Sequence, residues 1–164
     1  MHWRFMSLAV FIGFIAARQA AAQTGAASHP CALLTAAQIS AAVGSIGESK
    51  EGDMPGNGQM RACSWSIPGG SLTLMVGKAS DPNQTRQLLN YMFEGEGWKH
   101  VKNDSGKTSC SLFTPPAGAA NSMPATSCAA VDKGMLVIAS ASSKTIIPAE
   151  KVKSLVETAS ARLP

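Results

Sequence analysis

Four cysteines are the residues of this chain whose chemistry is easiest to constrain: Cys31, Cys63, Cys110 and Cys128. A structural zinc site takes its thiolates from closely spaced pairs, and a disulfide oxidoreductase uses a Cys-x-x-Cys motif. The closest pair here, Cys110 and Cys128, is 18 positions apart, so neither pattern is present. An even number of widely spaced cysteines is typical of structural disulfides in an oxidising compartment. We therefore expect two disulfides, no metal site and no cofactor.

Four cysteines allow three pairings, and the order of the predicted elements favours Cys31 with Cys63 and Cys110 with Cys128. Cys110 and Cys128 lie in two predicted strands on either side of one loop, so antiparallel pairing would bring them together. Cys31 precedes the first predicted helix, and Cys63 lies in the first strand on which that helix would pack. Each bridge would close a loop of about 20 to 30 residues and contribute about 3 to 4 kcal/mol.

Candidate acid–base groups are few. His100 has Asp104 close in sequence, but a histidine-based hydrolase also needs a nucleophile, and no serine lies in a Gly-x-Ser-x-Gly turn. Glu94 and Glu96 lie at a predicted helix end, where solvated charge is the simpler interpretation. We therefore expect a protein that is not an enzyme. The alternative is an enzyme that uses His100 with a nearby carboxylate.

Candidate binding residues fall in two parts of the chain. Tyr91 points away from the apolar stripe of a predicted helix, and Trp98 and His100 follow that helix. Residues 45–59 are rich in glycine and are predicted to form a mobile loop. Accessible aromatic residues and loops of this kind are common in binding surfaces. The predicted binding surface consists of Tyr91, Trp98, His100, Met54 and Asn57.

The N-terminus has the three parts of a secretory signal. Arg4 supplies positive charge, residues 6–17 are apolar, and Ala20-Ala21-Ala22 offers a cleavage site before Gln23. The apolar run is shorter than the roughly 20 residues that a membrane span needs, so an anchor is the less favoured alternative. We expect a signal peptide at 1–22, a flexible lead-in at 23–29 and one domain at 30–164. The mature product would have no membrane span and would be periplasmic or secreted.

The charge of the chain is small once the signal is removed. The whole chain has a formal net charge of +4, and residues 1–22 contain Arg4, Arg18 and no acidic residue, which leaves +2. This charge on one domain is not the electrostatic footprint of a nucleic-acid-binding protein. We expect a monomer that does not bind nucleic acid.

The predicted elements alternate between helices and groups of strands. Thr35 and Gln38 form a capping box at the start of a first helix that ends at Gly44. A hairpin turns at Pro68-Gly69-Gly70, and a second helix begins at Asp81-Pro82. The remaining segments are predicted strands at 98–102, 108–114, 126–131 and 135–141, and a third helix after Pro148. This order predicts an α+β fold, with three helices packed on a mostly antiparallel sheet of five to six strands.

The segment Pro30-Cys31-Ala32-Leu33-Leu34-Thr35 resembles the start of a family of small exported bacterial domains of unknown function, which are often lipoproteins in actinobacteria. Gly44 and Cys63-Ser64-Trp65 match the glycine and the Cys-x-Trp strand that follow in that family. The chain is also similar in outline to the extracellular sensor domains of certain bacterial kinases, which are disulfide-bonded α+β modules. The resemblance covers residues 30–76 and implies a fold but no catalytic residues. Ser28-His29-Pro30 replaces the small-residue motif that precedes a lipoprotein cysteine.

These observations favour a non-enzymatic exported domain that binds a protein or a small ligand at the bacterial envelope. A second possibility within binding proteins is an inhibitor or immunity protein against an envelope hydrolase. Such a protein would insert residues 45–59 into the active site of its target.

Overall fold

A computed structural model describes residues 29–54, 57–79, 99–105, 107–119 and 122–164, and only the backbone of 57–59 and 99–105. The described chain forms one antiparallel sheet, two α-helices and a short 3-10 helix. The helices are the 3-10 helix Pro30–Ala32, α1 (Ala36–Val43) and α2 (Ala149–Ala161). The strands are β1 (Ser49–Met54), β2 (Asn57–Ile67), β3 (Gly70–Lys78), β4 (Lys99–Ser105), β5 (Thr108–Thr114), β6 (Ala125–Asp132) and β7 (Met135–Ser143).

The seven described strands are ordered β1-β2-β3-β7-β6-β5-β4. Two antiparallel meanders, β1 to β3 and β4 to β7, meet where β3 pairs with β7 over its whole length, from Gly70 opposite Ser143 to Lys78 opposite Met135. The edge strands are β1 and β4. The predicted α+β class with an antiparallel sheet is confirmed.

Helix α1 begins as its sequence predicts. The Thr35 hydroxyl accepts a hydrogen bond from the backbone N–H of Gln38 at 3.3 Å, and the Gln38 side chain accepts one from the Thr35 N–H at 2.9 Å. This reciprocal pair satisfies two backbone donors that the first turn of a helix would otherwise leave unpaired. The helix ends at Gly44, whose φ of 88° is accessible to glycine at little cost.

The main core lies between the helices and one face of the sheet, which we call the first face. Its central register row crosses five strands and consists of Cys63, Leu74, Ala139, Cys128 and Cys110. Helix α2 covers this face with an apolar stripe in which every side chain is at least 97% buried: Val152, Leu155, Val156, Ala159 and Leu163. The predicted stripe is therefore confirmed, and its burial supplies much of the driving force for folding.

Both predicted disulfides are present, Cys31–Cys63 and Cys110–Cys128. The first ties the 3-10 helix to β2, beside the buried Trp65. The second joins residues that lie directly opposite each other in β5 and β6. Its sulfur atoms lie 4.0 and 3.5 Å from the carbonyl oxygen of Ala149, so it is enclosed beneath the first turn of α2.

The prediction of a mobile loop at residues 45–59 differs from the structure. The predicted loop contains all of β1 and the start of β2, so the sheet has seven strands among the described residues, not five to six. Strand β1 is held by backbone pairing with β2, and none of its side chains is buried. The alternation that identifies a half-buried strand is therefore absent. His29, which the sequence prediction assigns to the flexible lead-in, has its Nδ1 3.1 Å from the Glu51 carboxylate of β1.

The other boundaries agree closely with the prediction. Strand β5 matches residue for residue, and β6 and β7 extend one or two residues further. The predicted helix that begins at Asp81 lies outside the described residues. Within the described ranges, no helix has the length and hydrophobicity of a membrane span.

Candidate functional site

The opposite face of the sheet, which we call the second face, carries a continuous line of hydroxyl side chains. Successive register partners across β2, β3, β7, β6 and β5 are Ser64, Thr73, Ser140, Ser127 and Ser111. We call this line the hydroxyl row. Lys50 of β1 pairs with Ser64 and extends the row to the edge of the sheet. Strands distant in sequence therefore place similar polar groups side by side.

A parallel apolar row lies two residues away along the strands. Its members are Ala62, Met75, Ile138 and Ala129, and they belong to a second small core cluster. Met75 is 1% exposed and Ile138 is fully buried, so this row is a fixed surface. The second face thus places a hydrogen-bonding line next to an apolar one.

The two rows border a groove of about 440 Å³ near the β1 edge. Met54 and Ala62 supply its accessible apolar surface above the buried Met75, and Ser64, Thr73 and Ser140 supply its hydroxyl groups. The register of β1 shifts between Asp53 and Met54, and Met54 packs against the second core cluster beside the groove. A concave surface of this size, mostly apolar with a few polar groups, is typical of a ligand site.

The charged residues around the groove differ in whether they have an ion-pair partner. Glu51 and Asp53 border the groove, but both carboxylates are engaged by Arg61, at 2.9 Å from Nη2 to Glu51 and 3.4 Å from Nε to Asp53. Lys50 forms no ion pair with a described residue. The four charges sum to zero, but Glu51 and Asp53 alternate with Lys50 along β1, so Lys50 is the charged side chain on the groove side.

The hydroxyl groups of the groove keep capacity for a ligand. Ser64 Oγ and Thr73 Oγ1 are 3.0 Å apart and share one hydrogen bond. Each hydroxyl has one donor and two acceptor positions, so this bond leaves further positions unused. Both side chains are half-buried, as is Ser140. The three groups can therefore bind a polar edge of an incoming molecule.

A second concavity of about 310 Å³ lies between α1 and α2. Its lining includes Gln38, Glu150, Lys151 and Thr158. Gln38 is already used by the capping box of α1, and the Thr158 hydroxyl donates to the Ser154 carbonyl at 2.7 Å. Gln38 and Thr158 thus have local structural partners, and Glu150 and Lys151 are exposed charges of opposite sign, which makes this concavity the weaker candidate.

The predicted binding surface is divided by the sheet. Met54 lines the groove, and the backbone of Asn57 pairs with it. His100 lies in β4, opposite Phe113, at the other edge of the sheet. Six strand spacings separate the two edges, about 29 Å in a flat sheet. Tyr91 and Trp98 lie outside the described residues.

The register does not bring the proposed acid–base pair together along β4. His100 and Asp104 are four residues apart on one strand, so their α-carbons are separated by roughly 13 Å. A catalytic pair must come within hydrogen-bond distance. In the part of the chain that the structure describes, no cluster of three or more His, Cys, Asp or Glu side chains could hold a metal ion.

Sequence reasoning missed the hydroxyl row and Lys50. The available signal was the polar half of each alternating strand, such as Ser64 between Cys63 and Trp65. That signal gives the face of one side chain within its own strand. It does not give the neighbour across the sheet, which depends on the register between β2, β3 and β7.

No protein-family model and no curated protein sequence matches this chain. A solved structure that resembles it is the extracellular domain of PknH from Mycobacterium tuberculosis. The two have a TM-score of 0.57 and 12% sequence identity, over 80% of this chain and 93% of that domain. At this identity the likeness is one of fold. It confirms the predicted similarity in outline to an extracellular kinase domain, whereas membership of the family of small exported domains stays a prediction.

Proposed function

We propose that this chain is an exported, non-enzymatic domain that binds a ligand or partner at the bacterial envelope through the groove on the second face. Three observations support export. The sequence begins with the three parts of a secretory signal, the domain has two disulfides, and its fold resembles an extracellular domain. Disulfides persist in compartments of that kind.

The groove is the observation that carries the binding role. It combines accessible apolar side chains, hydroxyl groups with unused capacity and a lysine, Lys50, that has no ion-pair partner among the described residues. Its described lining contains no histidine and no cysteine, which are common bases and nucleophiles in enzymes. Such a surface can supply affinity and orientation to a bound molecule.

The inhibitor alternative receives less support from the fold. It requires residues 45–59 to act as a protruding loop that enters an active site. Six of these residues form β1, which pairs with β2 along its length. The enzyme alternative makes a separate prediction, namely turnover that depends on His100.

The proposal can be tested with methionine methyl groups as reporters. The full-length gene is expressed in a bacterial host, and the product is purified under oxidising conditions with 13C-labelled methionine ε-methyl groups. Its mass tests cleavage before Gln23. Fractionated envelope extract, separated into small molecules, lipids and proteins, is then titrated in. Binding in the groove shifts the methyl signals of Met54 and Met75, whereas Met135, which packs against the core of the first face, stays unchanged.

Two results would contradict the proposal. In the first, no fraction shifts Met54 or Met75 at any concentration tested. In the second, an extract substrate is consumed by the wild type but not by a His100→Ala variant, which would favour the enzyme alternative.

A further inference from the structure

We propose that the ligand of the groove is an anionic amphiphile, a molecule with an apolar body and a carboxylate or phosphate head group. This inference rests on the proposed function, because it assigns a ligand class to the same site. It follows from three features of the groove: its apolar row, the position of Lys50 and the engagement of the neighbouring carboxylates.

The apolar body is assigned to the accessible side chains of Met54 and Ala62, above the buried Met75. Met75 is 1% exposed and is supported from its own cluster by Met60 and Ile138, so it forms a rigid base. Met54 is half-buried at the side of the groove. Unbranched thioether side chains adapt to irregular apolar ligands, which suits an alkyl chain better than a rigid ring.

The head group is assigned to Lys50. This side chain is exposed, borders the groove and lies opposite Ser64 in the register. An ammonium group beside the one O–H of Ser64 and Thr73 that their mutual hydrogen bond leaves free can form charge-assisted hydrogen bonds to an oxyanion. A carboxylate and a phosphate share this requirement.

The acidic residues of β1 do not cancel this preference. Glu51 accepts from Arg61 at 2.9 Å and contacts His29 at 3.1 Å, and Asp53 contacts Arg61 at 3.4 Å. Successive side chains of a strand point to opposite faces, so Lys50 and Glu51 serve different faces of the sheet. A cationic ligand would meet Lys50 on the groove side, whereas an anionic ligand would be attracted there.

The hydroxyl row also sets the length of the ligand. Three strand spacings separate Lys50 from Ser140, about 14 Å across the sheet. An alkyl chain of medium length fits this distance along the groove while its head group stays at the β1 edge. We therefore choose decyl compounds as probes.

The test compares four probes below their micelle-forming concentrations: decanoate, decyl phosphate, decanol and inorganic phosphate. Methyl signals of Met54 and Met75 report binding in the groove, and Met135 is the internal control. We expect the two anionic decyl probes to bind about five- to tenfold more tightly than decanol, because one charge-assisted contact is added. Inorganic phosphate alone should bind more weakly than either, since it lacks the apolar contacts.

Two variants separate the head group from the body. Lys50→Gln should lower the affinity for decanoate and decyl phosphate about five- to tenfold and leave decanol unchanged. Lys107→Gln is the matched control, because Lys107 is an exposed lysine beside the β4–β5 end of the sheet. It should change neither affinity. Thr73→Val keeps the shape of the side chain and should weaken the anionic probes only.

Several outcomes would overturn the inference. If decanol and decanoate bind equally and Lys50→Gln changes neither affinity, the groove does not select an anionic head group. Shifts of Met135 equal to those of Met75 would indicate partitioning into the protein without a site. Envelope fractions that shift Met54 and Met75 while no decyl probe does so would overturn the amphiphile but leave the binding function standing. If neither the envelope fractions nor the decyl probes shift Met54 and Met75, both the amphiphile and the binding function are overturned.

Discussion

The central rows of the two faces of the sheet differ although they are made by the same strands. On the first face, one register row contains Cys63, Leu74, Ala139, Cys128 and Cys110, all buried beneath the helices. One residue further along each strand, the corresponding row of the second face contains Ser64, Thr73, Ser140, Ser127 and Ser111. The period of two in a strand separates a stabilising surface from a hydrogen-bonding one.

The hydroxyl row itself is not uniform. Ser64, Thr73 and Ser140 are half-buried at the groove, whereas Ser127 is fully buried and Ser111 is 5% exposed. The Ser127 hydroxyl has a backbone acceptor, the Ala139 carbonyl at 3.5 Å. Within this row, the accessible hydroxyl groups are therefore those near β1, which is where a ligand site can form.

The largest expected effect comes from the disulfides that support the first face. Replacing Cys31 and Cys63 together by alanine, or Cys110 and Cys128 together, should lower the free energy of unfolding by about 3 to 4 kcal/mol in each case. The sequence separations of 32 and 18 differ too little to distinguish the two on chain entropy alone. Urea unfolding of both double variants measures the losses.

The two disulfides should differ in which segments gain hydrogen exchange when they are removed. Loss of Cys31–Cys63 should raise hydrogen exchange in the 3-10 helix Pro30–Ala32, which has no other covalent tie to β2 among the described residues. Loss of Cys110–Cys128 leaves the β5–β6 register pairs in place. A loss below about 1 kcal/mol for either variant would contradict the view that the bridges stabilise the first face.

Much of the first face could be predicted from the sequence. The capping box at Thr35, the stop at Gly44 and the apolar stripe of α2 are local patterns, each contained within a dozen residues. The disulfide pairing followed because Cys110 and Cys128 lie in sequential strands that flank one loop. Local patterns and sequential neighbours are what a single sequence encodes directly.

The second face could not be predicted in the same way. Strand β1 contains no apolar alternation, since it is an edge strand without a buried side chain, and its glycine suggested a loop. The groove depends on the pairing of β3 with β7, which are separated in sequence by residues 79–134. No local pattern indicates that Thr73 and Ser140 are neighbours.

Two adjacent residues of β3 give a direct test of the contrast between the faces. Leu74 is fully buried on the first face, and Leu74→Ala should cost about 3 kcal/mol through the lost burial and the cavity left behind. Thr73 lies on the second face, and Thr73→Val should change stability by less than about 1 kcal/mol, because it removes one half-buried hydrogen bond and keeps the shape. Equal losses in urea unfolding would show that the groove side is also a tightly packed core.

Two glycines test how closely the strands approach at the centre and at the edge. A side chain at Gly70 would collide with the Ser142 carbonyl of β7, so Gly70→Ala should destabilise the fold by about 1 to 3 kcal/mol. Gly52 of β1 has nothing within 4 Å of the position of a Cβ, and Gly52→Ala should stay within about 0.5 kcal/mol of the wild type. Thermal unfolding of the pair is the measurement. If Gly70→Ala leaves the stability unchanged, β3 and β7 can move apart at this end of their pairing.

The smallest expected effect is a gain in stability on the first face. Ser160 of α2 is 7% exposed, and its hydroxyl has no hydrogen-bond partner among the described residues. Ser160→Ala should stabilise the protein by about 1 kcal/mol, because it removes a desolvated polar group and improves helix propensity. Ser154→Ala on the exposed side of the same helix is the matched control, since it changes propensity alone. If the two variants gain equally, the Ser160 hydroxyl costs nothing where it lies; if Ser160→Ala loses stability, that hydroxyl has a partner and the first face is not the purely apolar surface that its rows describe.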